Sequence, residues 1–282
     1  IPEIEILGLT TTGGNARLSD TTRNALRVLE TVGRTDLPVF KGAARPQKGY
    51  FHYAYDIHGS TGIGVRLRSP VTQAKQPSAQ EIISESALEN FGTLKIVALG
   101  PLTNLAISLN QNPNLIGAIK EIIVMGGAVE VPGNVTDSAE FNFYNDPISA
   151  NIILNSGIPI TLIGLDVTEQ VFFKRNQSPW MEGSSCTAIL ARRIIESWFL
   201  RHKTSDHFTL HDPLAILAAI DPTLFSYKRG RVRVETKVPQ YRGRTIASYG
   251  SGPVQIAVGV DTTLAISKVT TLLQGFTGRT EM

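Results

Sequence analysis

Short apolar runs alternate with segments of helical periodicity along most of this chain. The runs are rich in Ile, Val and Leu on both faces, as strands covered by helices on both sides must be. They predict strands at residues 4–12, 94–99, 121–125 and 158–165, with a shorter strand at 38–42. Alternating strands and helices predict an α/β fold, with a mainly parallel open sheet and helices on both faces.

Helical periodicity marks the segments between these runs. It predicts helices at residues 21–32, 79–91, 102–110, 147–155, 188–200 and 211–220. The pattern changes toward the C-terminus, where residues 231–237, 245–249 and 254–260 have the spacing of hairpin strands and residues 262–276 that of a helix. We therefore expect a small antiparallel C-terminal appendage on the main sheet.

Size and composition favour one large core. With 282 residues, 42% of them hydrophobic, the chain is long enough to form a single α/β domain over residues 1–282. Its one cysteine, Cys186, excludes an intramolecular disulfide and a thiolate metal cluster. A lone cysteine is typical of a reducing compartment, so we expect a cytoplasmic protein. No apolar run approaches the roughly 20 residues of a membrane span, so no membrane partner is expected.

The basic residues are scattered, although the formal net charge is +3 and the pI about 9.0. The densest stretch, residues 228–233, alternates basic with small or apolar positions, which is the pattern of a solvated strand face. Nucleic-acid binding needs clustered charge and aromatic platforms, so this pattern argues against it. A neutral small molecule is the better candidate ligand.

Polar residues follow each predicted parallel strand. The carboxyl ends of such strands share one edge of the sheet, where α/β proteins bind their ligands. The polar segments at this edge are residues 10–15, 100–104, 125–127, 134–146 and 166–168. We expect a binding site there. The loop at 58–62 is a further functional candidate, because it lies in the longest irregular stretch of the chain.

The segment 134–142 carries Asn134, Glu140 and Asn142. Amides and carboxylates hydrogen-bond sugar hydroxyls with paired donors or acceptors, but the same residues also suit an ordinary surface loop. The residues 13–15 form a Gly-Gly-Asn turn that lacks the lysine and spacing of a phosphate-binding loop. These local patterns leave both interpretations open.

The pair His211-Asp212 precedes an apolar helix. Asp212 is interpretable as a helix N-cap, the commonest role of aspartate there, or as a hard oxygen ligand for Ca²⁺ or Mg²⁺. In the second case His211 beside it is a candidate proton donor. His58 lies in a glycine-rich loop with little apolar surface to pack against, which favours a polar role.

Taken together, the motifs resemble those of the inosine-uridine nucleoside hydrolase family over nearly the whole chain. Single motifs are weak evidence, whereas the full series in this order is specific. It consists of Thr11-Thr-Gly-Gly-Asn15, Asn24, the segment 38–42, His58-Gly59 with Gly62 and Gly64, Leu99-Gly-Pro-Leu-Thr-Asn104, Val124-Met-Gly-Gly127, Gly133-Asn134, Glu140-Phe-Asn142, Asp146-Pro147 and His211-Asp-Pro213.

The resemblance implies a Rossmann-like, metal-dependent hydrolase that cleaves ribonucleosides to ribose and free base. It implies a Ca²⁺ ion held by Asp212 and by the backbone carbonyl of Leu99, with His211 and His58 as catalytic residues near the departing base. It also implies a homotetramer or homodimer. The residues that it assigns to substrate binding are Asn15, Met125, Asn134, Glu140 and Asn142, of which the asparagines and Glu140 contact the ribose.

The chain departs from the family pattern in one respect. The family opens with an acidic Asp-x-Asp-x-x-x-Asp-Asp motif after a first strand, and this sequence contains no such cluster. We expect that strand, the metal carboxylates with the general base, and one helix to precede Ile1 in a longer polypeptide. The alternative is a non-catalytic nucleoside- or ribose-binding relic of the same fold. A dinucleotide-dependent oxidoreductase is disfavoured, because no G-x-G-x-x-G follows a first strand.

Overall fold

The computed structural model describes residues 4–176 and 182–275, and its strands follow the apolar runs of the sequence. The strands are β1 (Leu9–Thr11), β2 (Val39–Lys41), β3 (Lys95–Ala98), β4 (Glu121–Met125), β5 (Ile160–Ile163), β6 (Phe172–Lys174), β7 (His207–Thr209), β8 (Phe225–Val234), β9 (Thr245–Tyr249) and β10 (Val254–Val260). The helices are α1 (Leu18–Thr31), α2 (Tyr55–His58), α3 (Ala79–Glu89), α4 (Thr103–Gln111), α5 (Leu115–Ala118), α6 (Phe141–Asn145), α7 (Pro147–Leu154), α8 (Leu165–Thr168), α9 (Cys186–Arg201), α10 (His211–Ile220) and α11 (Thr262–Gln274).

The main sheet has six strands in the order β3–β4–β5–β10–β8–β9. The first four are parallel to one another, and β10 reaches this position by pairing Val254 with Ile160 of β5. Strands β8 and β9 extend the same sheet in antiparallel orientation. Two small sheets accompany it, the parallel pair β1–β2 and the antiparallel pair β6–β7. The α/β fold with a mainly parallel sheet and an antiparallel C-terminal part is thereby confirmed.

The first predicted strand is shorter than expected. The apolar run at residues 4–12 forms strand only at Leu9–Thr11, and Ile4, Ile6 and Leu7 are 45%, 50% and 40% exposed. The ladder with β2 starts at Leu9, whose amide donates to the carbonyl of Pro38. Proline has no N–H to donate in return, so the ladder cannot extend past that residue.

Two apolar clusters cover the two faces of the main sheet. Along β4, Ile122 and Val124 point into the cluster shared with α3, α4 and α7, whereas Ile123 and Met125 point into the cluster shared with α9, α10 and α11. Consecutive strand residues face opposite sides, so a strand that is apolar at every position is buried on both. Fully burying one such side chain stabilises the fold by about 1.5–3 kcal/mol.

The basic stretch lies on the surface of β8. Arg229, Arg231 and Arg233 are exposed on one face of the strand, while Val232 and Val234 are buried on the other; Lys228 is exposed as well. The prediction of a solvated strand face is confirmed. Among the residues that the structure describes, no helix is both long enough and apolar enough to cross a membrane.

Candidate functional site

The polar residues at the carboxyl ends of β3 and β4 converge with the starts of α6 and α10. Helix α10 packs across β3, β4 and β5, so its first turn lies beside the strand ends. Leu99 follows β3, Met125 ends β4, Glu140 precedes α6, and Asp212 lies in the first turn of α10. The edge of the sheet predicted from the sequence is therefore where these groups meet.

Glu140 caps α6 and fixes the turn that leaves β4. One carboxylate oxygen accepts from the backbone N–H of Asn142 at 2.8 Å, and the other accepts from Phe143 and Gly127 at 3.0 Å each. The residue is only 1% exposed. Burial raises the pKa of this carboxyl, while the three backbone donors act in the opposite direction. Glu140 is thus a buried acceptor locked by the backbone of two elements.

Asn142 connects the ends of two strands. Its side-chain N–H donates to the carbonyl of Met125 at 3.1 Å, and it lies 3.4 Å from the carbonyl of Leu99. Both Asn142 and Met125 are buried. The Leu99 carbonyl therefore lies beside Asn142, in the same cluster as Glu140.

Asn134 has a local role in the loop before α6. Its side-chain oxygen accepts from the backbone N–H of Phe141 at 2.9 Å, which closes the loop over residues 134–141. The residue is exposed, and no hydrogen bond from its side-chain N–H is found in the described part of the chain. That group remains able to donate to a ligand.

Asp212 is not a helix cap. The residue at the N-cap position of α10 is Leu210, which provides no side-chain hydrogen bond, and Asp212 lies inside the first turn. The capping interpretation of the sequence is therefore wrong. Within residues 4–176 and 182–275, no donor contacts the Asp212 carboxylate. First-turn carboxylates interact favourably with the helix dipole, but this effect does not replace a hydrogen bond.

The environment of Asp212 disfavours its charge. Asp212 is only partly exposed, and protein crowds the rest of its surface. Burial, followed by the negative charge of Glu140, raises the pKa of Asp212 to about 7. A carboxylate without hydrogen-bond donors that also feels the charge of a second carboxylate is typical of a cation site.

His211 is oriented by a buried hydroxyl. The oxygen of Thr168, at the end of α8, lies 2.8 Å from the Nδ1 atom of His211. Thr168 is fully buried. Burial lowers the pKa of His211 to about 4. The imidazole is therefore neutral at neutral pH, and it interacts with a ligand as a neutral N–H donor or acceptor rather than as an imidazolium acid.

His58 lies in the short helix α2. It ends α2 and precedes Gly59, and its pKa is lowered first by burial and then by the charge of Arg201. Across the described ranges, no hydrogen bond joins His58 to His211 or Asp212. The structure gathers Leu99, Met125, Glu140, Asn142 and Asp212 in one cluster, but it does not connect His58 to them directly.

Asn15 ends the turn after β1, and its backbone carbonyl accepts from Ala54 at 2.9 Å. The Asn15 side chain is partly exposed and makes no hydrogen bond to the described residues. The same turn is held at Gly13, whose N–H donates to the carbonyl of Ala43 at 2.9 Å. A free amide on a fixed turn is suited to a ligand hydroxyl.

Asn104 organises this region, although sequence reasoning gave it no individual role. Its side-chain oxygen accepts from the backbone of Ala43 and from the Gln80 side chain, both at 2.8 Å, and its N–H donates to the Thr11 carbonyl at 3.0 Å. It therefore ties the ends of β1 and β2 to α4. Its place after a buried strand, within Leu99-Gly-Pro-Leu-Thr-Asn104, is the signal that sequence alone offers.

The donors of the cluster fit a hard divalent cation. An unpartnered carboxylate at Asp212 and a backbone carbonyl at Leu99 are the oxygen ligands that Ca²⁺ and Mg²⁺ prefer. Among the described residues, no three His, Cys, Asp or Glu side chains converge on one point. These residues supply two oxygens of the six to eight that Ca²⁺ usually takes, so they form one side of a coordination shell.

A scan against family models matches residues 1–266 to the inosine-uridine preferring nucleoside hydrolase family. Among curated proteins, the chain is 38% identical to uridine nucleosidase 1 of Arabidopsis thaliana over 244 residues, which cover 84% of this chain and 72% of the relative. It is 34% identical to a pyrimidine-specific ribonucleoside hydrolase of Escherichia coli over 256 residues, which cover 88% of this chain and 81% of the relative.

The fold is also similar to solved structures. A purine-preferring ribonucleoside hydrolase from Gardnerella vaginalis matches with a TM-score of 0.91 and 32% identity, over 98% of this chain and 92% of that one. A plant nucleoside hydrolase matches with a TM-score of 0.89 and 32% identity, over 97% and 92% of the two chains.

Proposed function

The chain belongs to the inosine-uridine preferring nucleoside hydrolase family, and from this premise we propose that it cleaves the N-glycosidic bond of ribonucleosides to ribose and free base. The observation that carries the proposal is the Asp212 carboxylate, which is only partly exposed, feels the negative charge of Glu140 and accepts no hydrogen bond from the described residues. A group that is this unfavourable to the fold needs a positively charged ligand to balance it.

We propose that this ligand is Ca²⁺, held in part by the carboxylate of Asp212 and the backbone carbonyl of Leu99. When bound, the cation supplies positive charge that lowers the pKa of a water and orients the ribose hydroxyls. The donor set favours it, because both atoms are hard oxygens and neither belongs to a thiol or imidazole.

The ribose is bound by groups around the same cluster. Glu140 and Asn142 are buried and fixed by backbone hydrogen bonds, so they present acceptors and donors in one geometry. Asn15 and Asn134 carry amide groups that are free to contact a hydroxyl, and Met125 provides an apolar wall. Hydrogen bonds of this kind hold the sugar in a reactive geometry.

The base leaves from the side of the sugar opposite the attacking water. The electron pair of the C1′–N bond goes to the nitrogen, the sugar becomes oxocarbenium-like, and the water oxygen forms the new bond at C1′. The water loses one proton, and the base nitrogen gains one. His211, oriented by Thr168, donates a hydrogen bond to the departing base, and His58 contacts the base from its glycine-rich loop.

Uridine is the substrate that we place first. The two curated relatives described above carry the names uridine nucleosidase and pyrimidine-specific hydrolase, whereas the Gardnerella structure is named purine-preferring. The chain is 32–38% identical to enzymes that are named for different preferences, so purine nucleosides are competing substrates. The test therefore includes both pyrimidine and purine nucleosides.

The test is release of reducing sugar from uridine, cytidine, inosine and adenosine, with and without a calcium chelator. We expect release that the chelator abolishes and that added Ca²⁺ restores. The variant Asp212→Asn should be inactive, while Asp137→Asn, in the exposed part of the loop before α6, should retain activity. If a sample of verified mass bound ribose without cleaving any nucleoside, the hydrolase proposal would fail and the non-catalytic binding protein would take its place.

We also propose a cytoplasmic homotetramer or homodimer that binds neither nucleic acid nor membranes. The single cysteine supports the reducing compartment, and the scattered basic residues support the absence of a nucleic-acid partner. Light scattering coupled to size-exclusion chromatography measures the oligomeric state, and a monomer at micromolar concentration would refute it.

A further inference from the structure

The turn that carries His58 closes around the side chain of Arg201. Residues 59, 62 and 64 are glycines with φ angles of 76°, 74° and 76°, a left-handed conformation that disfavours other residues. A Cβ atom built on Gly64 would lie 2.6 Å and 2.9 Å from the two terminal nitrogens of Arg201, and one built on Gly59 would lie 3.6 Å from its central carbon. Gly64 therefore leaves space that the guanidinium occupies, whereas a Cβ atom at Gly59 would be in ordinary van der Waals contact with it.

Arg201 contacts both sides of this turn. Its Nη2 atom lies 3.4 Å from the carbonyl of Ile57, and its Nη1 atom lies 3.4 Å from the carbonyl of Gly64. Nη1 also donates to the Ser197 hydroxyl at 2.7 Å, and that hydroxyl donates to the same Gly64 carbonyl. One guanidinium thus bridges the residue before His58 and the last glycine of the turn, with Ser197 as a second anchor.

The end of α9 that presents Arg201 is itself fixed. The guanidinium of Arg175 donates to the carbonyls of His202 at 2.9 Å and Ser205 at 2.7 Å, just after the helix ends at Arg201. The His202 ring stacks on Trp198, with ring centres 4.3 Å apart and planes inclined by 21°. Arg201 therefore projects from a rigid helix end rather than from a loop.

We propose that Arg201 is a positioning residue that holds the turn of residues 57–64, and with it His58, at the nucleobase end of the active site. This inference rests on the proposed function, because it takes His58 to contact the departing base. Arg201 itself contacts no reacting atom: it fixes the backbone on both sides of the histidine. Such support matters, because misplacement of a catalytic group by about 1 Å costs on the order of 100-fold in rate.

The charges around His58 are consistent with this role. Burial lowers the pKa of His58, the positive charges of Arg201 and His202 lower it further, and Asp56 in the same short helix raises it. The helix end that holds the backbone of His58 therefore adds to the effect of burial in favouring the neutral imidazole. Replacing Arg201 should remove the mechanical and the electrostatic support together.

The first test needs no activity. The His58 ring is titrated by NMR, and amide hydrogen exchange is measured for residues 57–64, in the wild type, Arg201→Ala and Arg201→Lys. We expect Arg201→Ala to raise the pKa of His58 toward its ordinary 6.5 and to accelerate exchange, and Arg201→Lys to restore the pKa but not the exchange protection. An unchanged pKa and unchanged exchange in folded Arg201→Ala would overturn the proposal.

Arg193→Ala is the matched control. Arg193 projects from the same helix and donates to the Arg66 carbonyl at 3.2 Å, beyond the glycine turn. Arg193→Ala removes a similar exposed hydrogen bond from an arginine to a backbone carbonyl, but it leaves the bridge between Ile57 and Gly64 intact. We expect the titration of His58 and the exchange of residues 57–64 to match the wild type, and an effect equal to that of Arg201→Ala would refute a specific role for Arg201.

The second test compares two leaving groups. A nitrophenyl riboside departs as a stable phenolate and needs no assistance, whereas uracil does. We expect Arg201→Ala to lower kcat/KM for uridine by about tenfold or more, and kcat/KM for the aryl riboside by about threefold at most. Equal losses on both substrates would overturn the assignment to the base end. If the wild type hydrolyses neither, the proposed function fails, and the titration still decides whether Arg201 positions the turn.

Discussion

The negative charge of Glu140 acts on the Asp212 carboxylate, and of these two groups only Glu140 is held by hydrogen-bond donors of the described residues. Glu140 accepts three backbone N–H groups, from Asn142, Phe143 and Gly127. Burial of the site and, after it, the charge of Glu140 raise the pKa of Asp212 to about 7. The fold therefore contains an electrostatic cost that a bound cation would remove, and several consequences of this arrangement are measurable.

Asp212→Asn should separate stability from activity. In chelator at neutral pH the substitution removes an unpaired, largely buried charge, so we expect the free energy of unfolding to rise by on the order of 1–2 kcal/mol while nucleoside hydrolysis is lost. Urea denaturation and sugar release are the measurements.

Asp146→Asn is the opposite case and serves as the control. Asp146 accepts from Gln47, Thr103 and both donors of Ser149 at 2.7–3.1 Å. Its replacement should lower the free energy of unfolding by about 3 kcal/mol. If Asp212→Asn destabilised the protein as much as Asp146→Asn, Asp212 would have hydrogen-bond partners that contradict its description as a bare carboxylate.

Glu140→Gln should weaken both the fold and the site. A glutamine presents one oxygen and one NH₂ group to three backbone donors, so at least one donor loses its acceptor. We expect a loss of about 2–3 kcal/mol in unfolding free energy together with reduced hydrolysis. Glu85→Gln, an exposed change on α3, should leave both quantities unchanged. Unaltered stability of Glu140→Gln would show that the cap is dispensable.

Asn104→Ala should destabilise the protein through three separate elements. It leaves unpaired the N–H of Ala43, the Gln80 amide and the carbonyl of Thr11. The expected loss is about 2–4 kcal/mol, measured by chemical denaturation. Asn110→Ala on the exposed side of the same helix is the control, and it should change stability by about 0.5 kcal/mol at most. Equal losses of unfolding free energy in the two variants would mean that the three hydrogen bonds of Asn104 do not stabilise the fold.

Thr168→Val should impair catalysis more than folding. The valine fills the same space but no longer orients the Nδ1 atom of His211, which the hydroxyl contacts at 2.8 Å. We expect kcat/KM for uridine to fall by about tenfold, with stability lowered by about 1 kcal/mol. Thr270→Val is the matched control, because the Thr270 hydroxyl is buried without a partner in the described chain. Retained kcat/KM in Thr168→Val would remove Thr168 from the mechanism.

His58 should make stability depend on pH. Its folded pKa lies below the unfolded value of 6.5, so between these two values the unfolded chain binds more protons than the folded one. Stability contributed by the neutral ring is therefore complete above pH 6.5 and is lost as the pH falls toward the folded pKa.

The measurement is urea denaturation at several pH values between about 5 and 7.5. His58→Gln should have a smaller slope of unfolding free energy against pH than the wild type. A residual slope is expected, because the pKa of His211 is also lowered, to about 4. Identical slopes in wild type and variant would contradict the lowered pKa of His58.

Much of the architecture was predictable from local patterns. The apolar run at 121–125 forms β4 over the same residues, and the segment 211–220 forms α10. Side chains alternate along a strand and repeat every 3.6 residues along a helix, so the sequence period reports which groups are buried. The grouping of Asn134, Glu140 and Asn142 beyond a strand end was predictable for the same reason.

Other features depended on distant partners. The strand predicted at 4–12 begins only at Leu9, because the position before it lies opposite Pro38, which has no N–H for the ladder. Strand β10 inserts between β5 and β8, so the antiparallel part continues the main sheet. No local period records which strand pairs with which, since pairing depends on contacts between segments far apart in the sequence.

The sequence alone determined the fold class, the elements and the order of the motifs, because these depend on residues a few positions apart. Only the tertiary structure decided that Asp212 is a bare carboxylate rather than a cap, that Thr168 orients His211, and that Arg201 fills the turn beside His58. Burial, charge proximity and hydrogen-bond partners are properties of the environment around a side chain. That environment is assembled from several elements, so it exists only after the chain has folded.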